Sequence, residues 1–184
     1  MVRNKQRLQL ALYARPRHPD GYHYALFITP KMGTSSQKPF SVTKFHVKNT
    51  LQNINVEIVQ PWRLERMVIS DLLQEPRLLV CVVIGKVLSD AAEQEFPRVK
   101  IYQVDDPDQT KAQAFDCRTW VEAALDELRG SGAVSGLLDW ETIEKSALEF
   151  VARKKDEGRW KVERRGDDVR VPTMDLLAGR ELVP

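Results

Sequence analysis

The run Leu78-Leu79-Val80-Cys81-Val82-Val83-Ile84 constrains the fold of this chain more than any other stretch. It has no polar face at a period of two and is rich in β-branched residues. That pattern belongs to a strand covered on both sides. Continued to Val87, it predicts a central strand, which needs a neighbour at each edge and a layer over each face. Seven apolar residues are far too few to cross a membrane. Cys81, inside this run, reads as inert core.

Other segments supply neighbours. Residues 8–15, 22–29 and 43–48 read as strands, punctuated by Arg15-Pro16, by the turn Pro19-Asp20-Gly21, and by a Gly/Ser/Thr/Lys loop over 31–41. Asn49 to Asn53 predicts a hairpin turn. Residues 54–59 then alternate apolar and polar, as a half-buried strand does, and Pro61-Trp62 closes them. Ser89 predicts the cap of a short helix, and residues 99–104 read as a further short strand.

After the acidic turn Asp105-Asp106-Pro107-Asp108 the period changes to that of helices. Asp116 predicts the cap of a helix running to Arg129 and stopped by Gly130. Trp120, Val121, Ala124, Leu125 and Leu128 form its apolar stripe. Asp139 predicts the cap of a second helix, from Trp140 to about Lys155, with Ile143, Ala147, Phe150 and Val151 on one face and Gly158 as its stop. The expected fold is α+β, one domain over residues 1–158. It has an antiparallel sheet of five or six strands, a core-facing helix starting at the cysteine and a flanking C-terminal helix. Residues 159–184 read as a loosely structured tail.

Composition narrows the function classes. A net charge of +2 with mixed signs argues for neither a nucleic-acid nor a membrane partner, and none is expected. Residues 153–165 are mainly basic with Trp160 among them, but interspersed acids make a solvated face the simpler reading. Two cysteines, Cys81 and Cys117, make no disulfide scaffold and no C-x-x-C zinc spacing, so no metal or organic cofactor is implied. The basic N-terminus is not followed by a signal-peptide core. A soluble cytoplasmic protein with no integral membrane segment is expected.

Cys117 carries the chemistry. Placed first in its helix, it meets unpaired backbone N–H groups and the positive end of the dipole, which favour a thiolate. The Asp116 carboxylate would oppose this unless, as a cap, it points at backbone N–H groups. His23 shares a strand face with Ala25 and Phe27, opposite Tyr22, Tyr24 and Leu26. His46 lies on a strand that could pair beside it. In a working site His23 would shuttle the thiol proton, His46 (or Asn49) would orient His23, and the Cys117 N–H would help hold an oxyanion. His18, in Pro-Arg-His-Pro, reads as a bystander.

The order of these motifs resembles the circularly permuted papain-like enzymes of the NlpC/P60 superfamily. It is most similar to the lecithin:retinol acyltransferase and phospholipase-acyltransferase branch, and also to the PPPDE peptidases. The matching segments are His23-Tyr24-Ala25-Leu26-Phe27, Lys44-Phe45-His46-Val47 and Asp116-Cys117-Arg118-Thr119-Trp120-Val121. The resemblance implies His23 as base, His46 as orienting residue and Cys117 as nucleophile. Asp116 replaces that branch's Asn, and Arg118-Thr119 its Glu-His pair, so its substrates do not transfer. The chain also resembles a group of short fungal proteins with Tyr-His-Tyr/Trp-Ala-Leu, His-Val-Lys-Asn and Cys-x-Thr-Trp-Val motifs, which suggests small-molecule biosynthesis.

The expected function is a thiol-dependent hydrolase or acyltransferase acting on an amide or ester through a thioester, with a small-molecule, acyl or peptide substrate. The alternatives are a binding or cyclisation pocket for an apolar small molecule and a protein-interaction module. An enzyme needs Cys117 accessible and acidic. A binding protein needs a deep apolar pocket, and an interaction module an exposed apolar patch.

Overall fold

The computed structural model describes residues 6–18, 21–31, 41–160 and 170–184. Its strands are β1 (Arg7–Ala14), β2 (Tyr22–Thr29), β3 (Val42–Lys48), β4 (Gln52–Ile54), β5 (Glu57–Val59), β6 (Arg63–Ile69), β7 (Leu78–Val87), β8 (Val134–Ser135), β9 (Thr173–Asp175) and β10 (Arg180–Val183). The α-helices are α1 (Gln109–Ala114), α2 (Cys117–Gly130) and α3 (Trp140–Asp156). The architecture is α+β, as expected. Among the described residues one mainly antiparallel sheet runs β10-β9-β7-β1-β2-β3-β6, with β8 on the end of β7 and β4-β5 a separate hairpin.

β7 lies inside the sheet, between β1 and β9. Its Val80, Val82 and Ile84 face the main core, and Cys81 faces the second. The main core joins Leu8, Leu10, Leu12, Tyr24, Leu26, Phe45 and Val47 to the apolar stripes of α2 and α3. The second, smaller core on the other face holds Ala11, Tyr13, Ala25, Phe27, Val42 and Ile69. Both expected helical stripes are buried. Gly158, in the left-handed region at φ 72°, follows α3, where a side chain would strain the turn. Gly85 admits β8: a Cβ there would stand 2.5 Å from Val134 Cγ1.

Several expectations need correction. Among the described residues the sheet has eight strands, not five or six. Two of the additions, β9 and β10, come from the segment read as a tail. β9 pairs parallel to β7, with the Cys81 N–H donating to the Pro172 carbonyl at 2.9 Å and the Leu176 N–H to the Val83 carbonyl at 3.0 Å. A central strand requires this second edge to be filled, and residues 173–175 fill it. Residues 161–169, also in that segment, lie outside the described residues, as do Pro19, Asp20 and most of the 31–41 loop.

Residues 99–104 form no strand. Val99 ends a 3-10 turn, Val104 is exposed, and the Gln103 side chain takes both the Trp62 N–H (3.0 Å) and the Trp62 carbonyl (2.8 Å), so the pairing is made by a side chain. The hairpin turn falls at Asn55-Val56, two residues with positive φ, rather than over 49–53. β6 and α1 were not anticipated. The Ser89 cap is present, over a 3-10 turn.

Candidate active site

Asp116 caps α2 as expected. Its Oδ1 accepts the N–H groups of Arg118 (2.8 Å) and Thr119 (2.9 Å), and the Thr119 hydroxyl accepts the Asp116 N–H at 2.9 Å, completing a capping box. The carboxylate is thus turned to the backbone. The Cys117 amide remains outside this cap. Arg118 reaches the other way and grips Glu144 of α3 through two nitrogens, and the Tyr24 hydroxyl donates to the same Glu144 carboxylate at 3.0 Å. One carboxylate therefore ties α2, α3 and β2 together around the cysteine.

β2 delivers His23, and alternation sends its ring to the face opposite Tyr24. β3 delivers His46 on that same face. The strands are paired only from Leu26↔Phe45 to Ile28↔Thr43, yet the two rings still meet beyond the ladder. His23 Nε2 lies 2.7 Å from His46 Nδ1, with the rings edge-on. His46 Nε2 lies 2.8 Å from Glu65 Oε2. Glu65 stands directly across from His46 in the β3–β6 register, and its other oxygen accepts from Lys48. Sequence reasoning missed Glu65, because only the register names the residue facing His46.

This network assigns the tautomers. Hydrogen bonds from Lys48 and His46 outweigh the effect of burial and hold Glu65 below the usual carboxylate range, so it can only accept. His46 then donates through Nε2. Burial and the nearby Lys44 push the His46 pKa down against the pull of Glu65, so its Nδ1 accepts. His23 donates through Nε2, and its Nδ1 keeps the lone pair. Burial, with His46, Lys44 and Arg15 adding, pushes the His23 pKa down to about 3, so the ring is neutral near pH 7. Beside it Tyr13 packs edge-on at 5.9 Å and donates to Glu75 at 2.7 Å, while Lys44 meets Glu75 at 2.8 Å.

Cys117 arrives from the other face. Its Sγ accepts the Tyr24 N–H at 3.5 Å, one residue along the strand from His23. Among the described residues no hydrogen bond joins the thiol to either imidazole. Cys117 is only 4% exposed. Burial pushes its pKa up and the Asp116 carboxylate, though turned to the backbone, adds to this; the Tyr24 N–H and the Arg15 charge only partly offset them. The acidic thiol expected from the helix N-terminus is therefore not what the structure has: desolvation outweighs the dipole. His23 and His46 are brought together, and Cys117 is brought to their strand but not to their nitrogens. Cys81 is fully buried, with its pKa pushed up to about 12, as inert core requires.

Among the described residues no group of three or more His, Cys, Asp or Glu is arranged to hold a metal ion. Among them, too, no helix is long and apolar enough to cross a membrane. No curated protein and no solved structure matches the chain. A profile described as "Family of unknown function (DUF6914)" matches residues 5–183. The chain, matched over nearly its whole length, belongs to that family.

Proposed function

We propose that this protein is a thiol-dependent acyl-transfer enzyme, a hydrolase or acyltransferase of permuted papain-like type. The observation that carries the reading is the hydrogen-bonded file Glu65–His46–His23, which leaves an unprotonated Nδ1 on the strand whose next amide binds the Cys117 sulfur. In the reaction Cys117 turns from the Tyr24 amide toward His23. Its sulfur attacks an ester or amide carbonyl as His23 Nδ1 takes the thiol proton. His23 returns that proton to the departing alcohol or amine, leaving a thioester. Water or a second nucleophile then attacks, giving its proton to His23 and releasing the thiol. Resting hydrogen bonds of this kind are often long and tighten only with substrate. The pair works as neutral thiol and neutral imidazole, not as a preformed ion pair. A free catalytic thiol suits a reducing compartment such as the cytoplasm.

Steady-state hydrolysis of p-nitrophenyl esters tests this. Turnover falls to background in Cys117→Ala and by about 10²-fold in His23→Ala. Equal turnover by wild type and Cys117→Ala overturns it.

One observation favours a second reading. A buried thiol of raised pKa suits a pocket wall better than a nucleophile. In that case the same site binds a small molecule without forming a bond to it.

A further inference from the structure

A cavity of about 680 Å³ opens at the end of the sheet beside this site. It lies one register step along β2 from His23, on the face of the sheet that carries Cys117 and not the one that carries the imidazole. Ala14 pairs with Tyr22 at its wall, and Tyr13 pairs with His23 next along the ladder. Its volume is that of small-molecule sites. Tyr22, Leu79 and Trp160 give it apolar walls. Three charged residues line it: Arg15, Lys155 and Asp156. Cations exceed the single carboxylate, and among the described residues none of the three is joined in an ion pair. Arg15 is close enough to both Cys117 and His23 to act on their charges.

Apolar aromatic walls beside a guanidinium are complementary to one chemistry, a flat apolar body carrying a single anionic oxygen pair. We propose that the cavity binds an extended aromatic carboxylate, its rings against Tyr22 and Trp160 and its carboxylate on Arg15. Resting on the acyl-transfer reading, this ligand is the acid product: its carboxylate forms only when water cleaves the thioester, and Arg15 then holds it. The same pocket serves the non-catalytic reading unchanged.

Calorimetric titration of the full chain with 2-naphthoate tests the proposal, with neutral 2-naphthamide as control. One equivalent of naphthoate binds, and the amide binds about tenfold more weakly. Arg15 is exposed, so Arg15→Gln leaves the fold intact. It weakens naphthoate by a similar factor and leaves the amide unchanged, whereas Trp160→Ala weakens both. Absence of naphthoate binding, equal affinity for acid and amide, or indifference to Arg15→Gln overturns the proposal. The two readings fail separately. Naphthoate binding retained in a protein that forms no acyl-enzyme removes only the catalysis. Acylation without naphthoate binding removes only the pocket assignment.

Discussion

At the scale of single residues the account rests on proton positions. In the proposed reaction His23 serves as base only while neutral. With its pKa lowered from 6.5 to about 3, it stays unprotonated well into mild acid. The rate profile of kcat/KM is therefore expected to be flat from neutral pH down to about pH 5. A limb near the ordinary histidine value contradicts this. The same shift has a stability consequence. Unfolding restores the ordinary pKa, so below it the unfolded chain binds the proton more readily. The contribution is present above 6.5 and is lost as pH falls toward about 3. Denaturant midpoints measured across that window fall with acid, and fall less in His23→Phe. Glu65→Gln removes the fixed acceptor and lets His46 adopt the other tautomer. It is expected to lower kcat by about tenfold or more with little change in KM. An unchanged kcat makes Glu65 merely structural.

At the scale of elements, local signals set the helices and long-range pairing sets the sheet edges. Asp116 and Asp139 announced their helices because a cap is a contact within three residues. Asp116→Ala is expected to cost about 1 kcal/mol in urea denaturation, with the Cys117 amide frayed as well. The Asn55-Val56 turn strains a β-branched residue at φ 72°. Val56→Gly is thus expected to stabilise by about 0.5 kcal/mol or more, read as a higher denaturation midpoint. β1, β2, β3 and β7 were legible because alternation or unbroken apolar character persists along each. β9 was not, since three residues carry no period; its strand character comes from the open edge of β7. The site divides along the same line. Cys117, His23 and His46 were legible as residue types in order. Glu65 and Arg15 depend on register and on the shape of a sheet end. The thiol's acidity was misjudged because sequence shows the helix dipole but not the burial that opposes it.

At the scale of the whole molecule the sheet is a partition, with the helices and Cys117 on one face and the polar file on the other. The β2–β3 ladder ends at Leu26↔Phe45, and just beyond it the Cys117 sulfur meets the β2 backbone at the Tyr24 N–H. The C-terminal strands belong to this body. Lys154 of α3 has a side chain only 3% exposed and is paired with Glu157 and with Glu181 of β10. Glu181→Gln is expected to destabilise by about 1–3 kcal/mol through a weakened partner for that buried charge. The central claim, that Cys117 forms a thioester with His23 as its base, is tested most directly by intact mass spectrometry after brief mixing with p-nitrophenyl acetate. One acetyl group on Cys117 is predicted, forming about 10²-fold more slowly in His23→Ala. An acetyl group absent from Cys117, or gained equally fast without His23, contradicts the account.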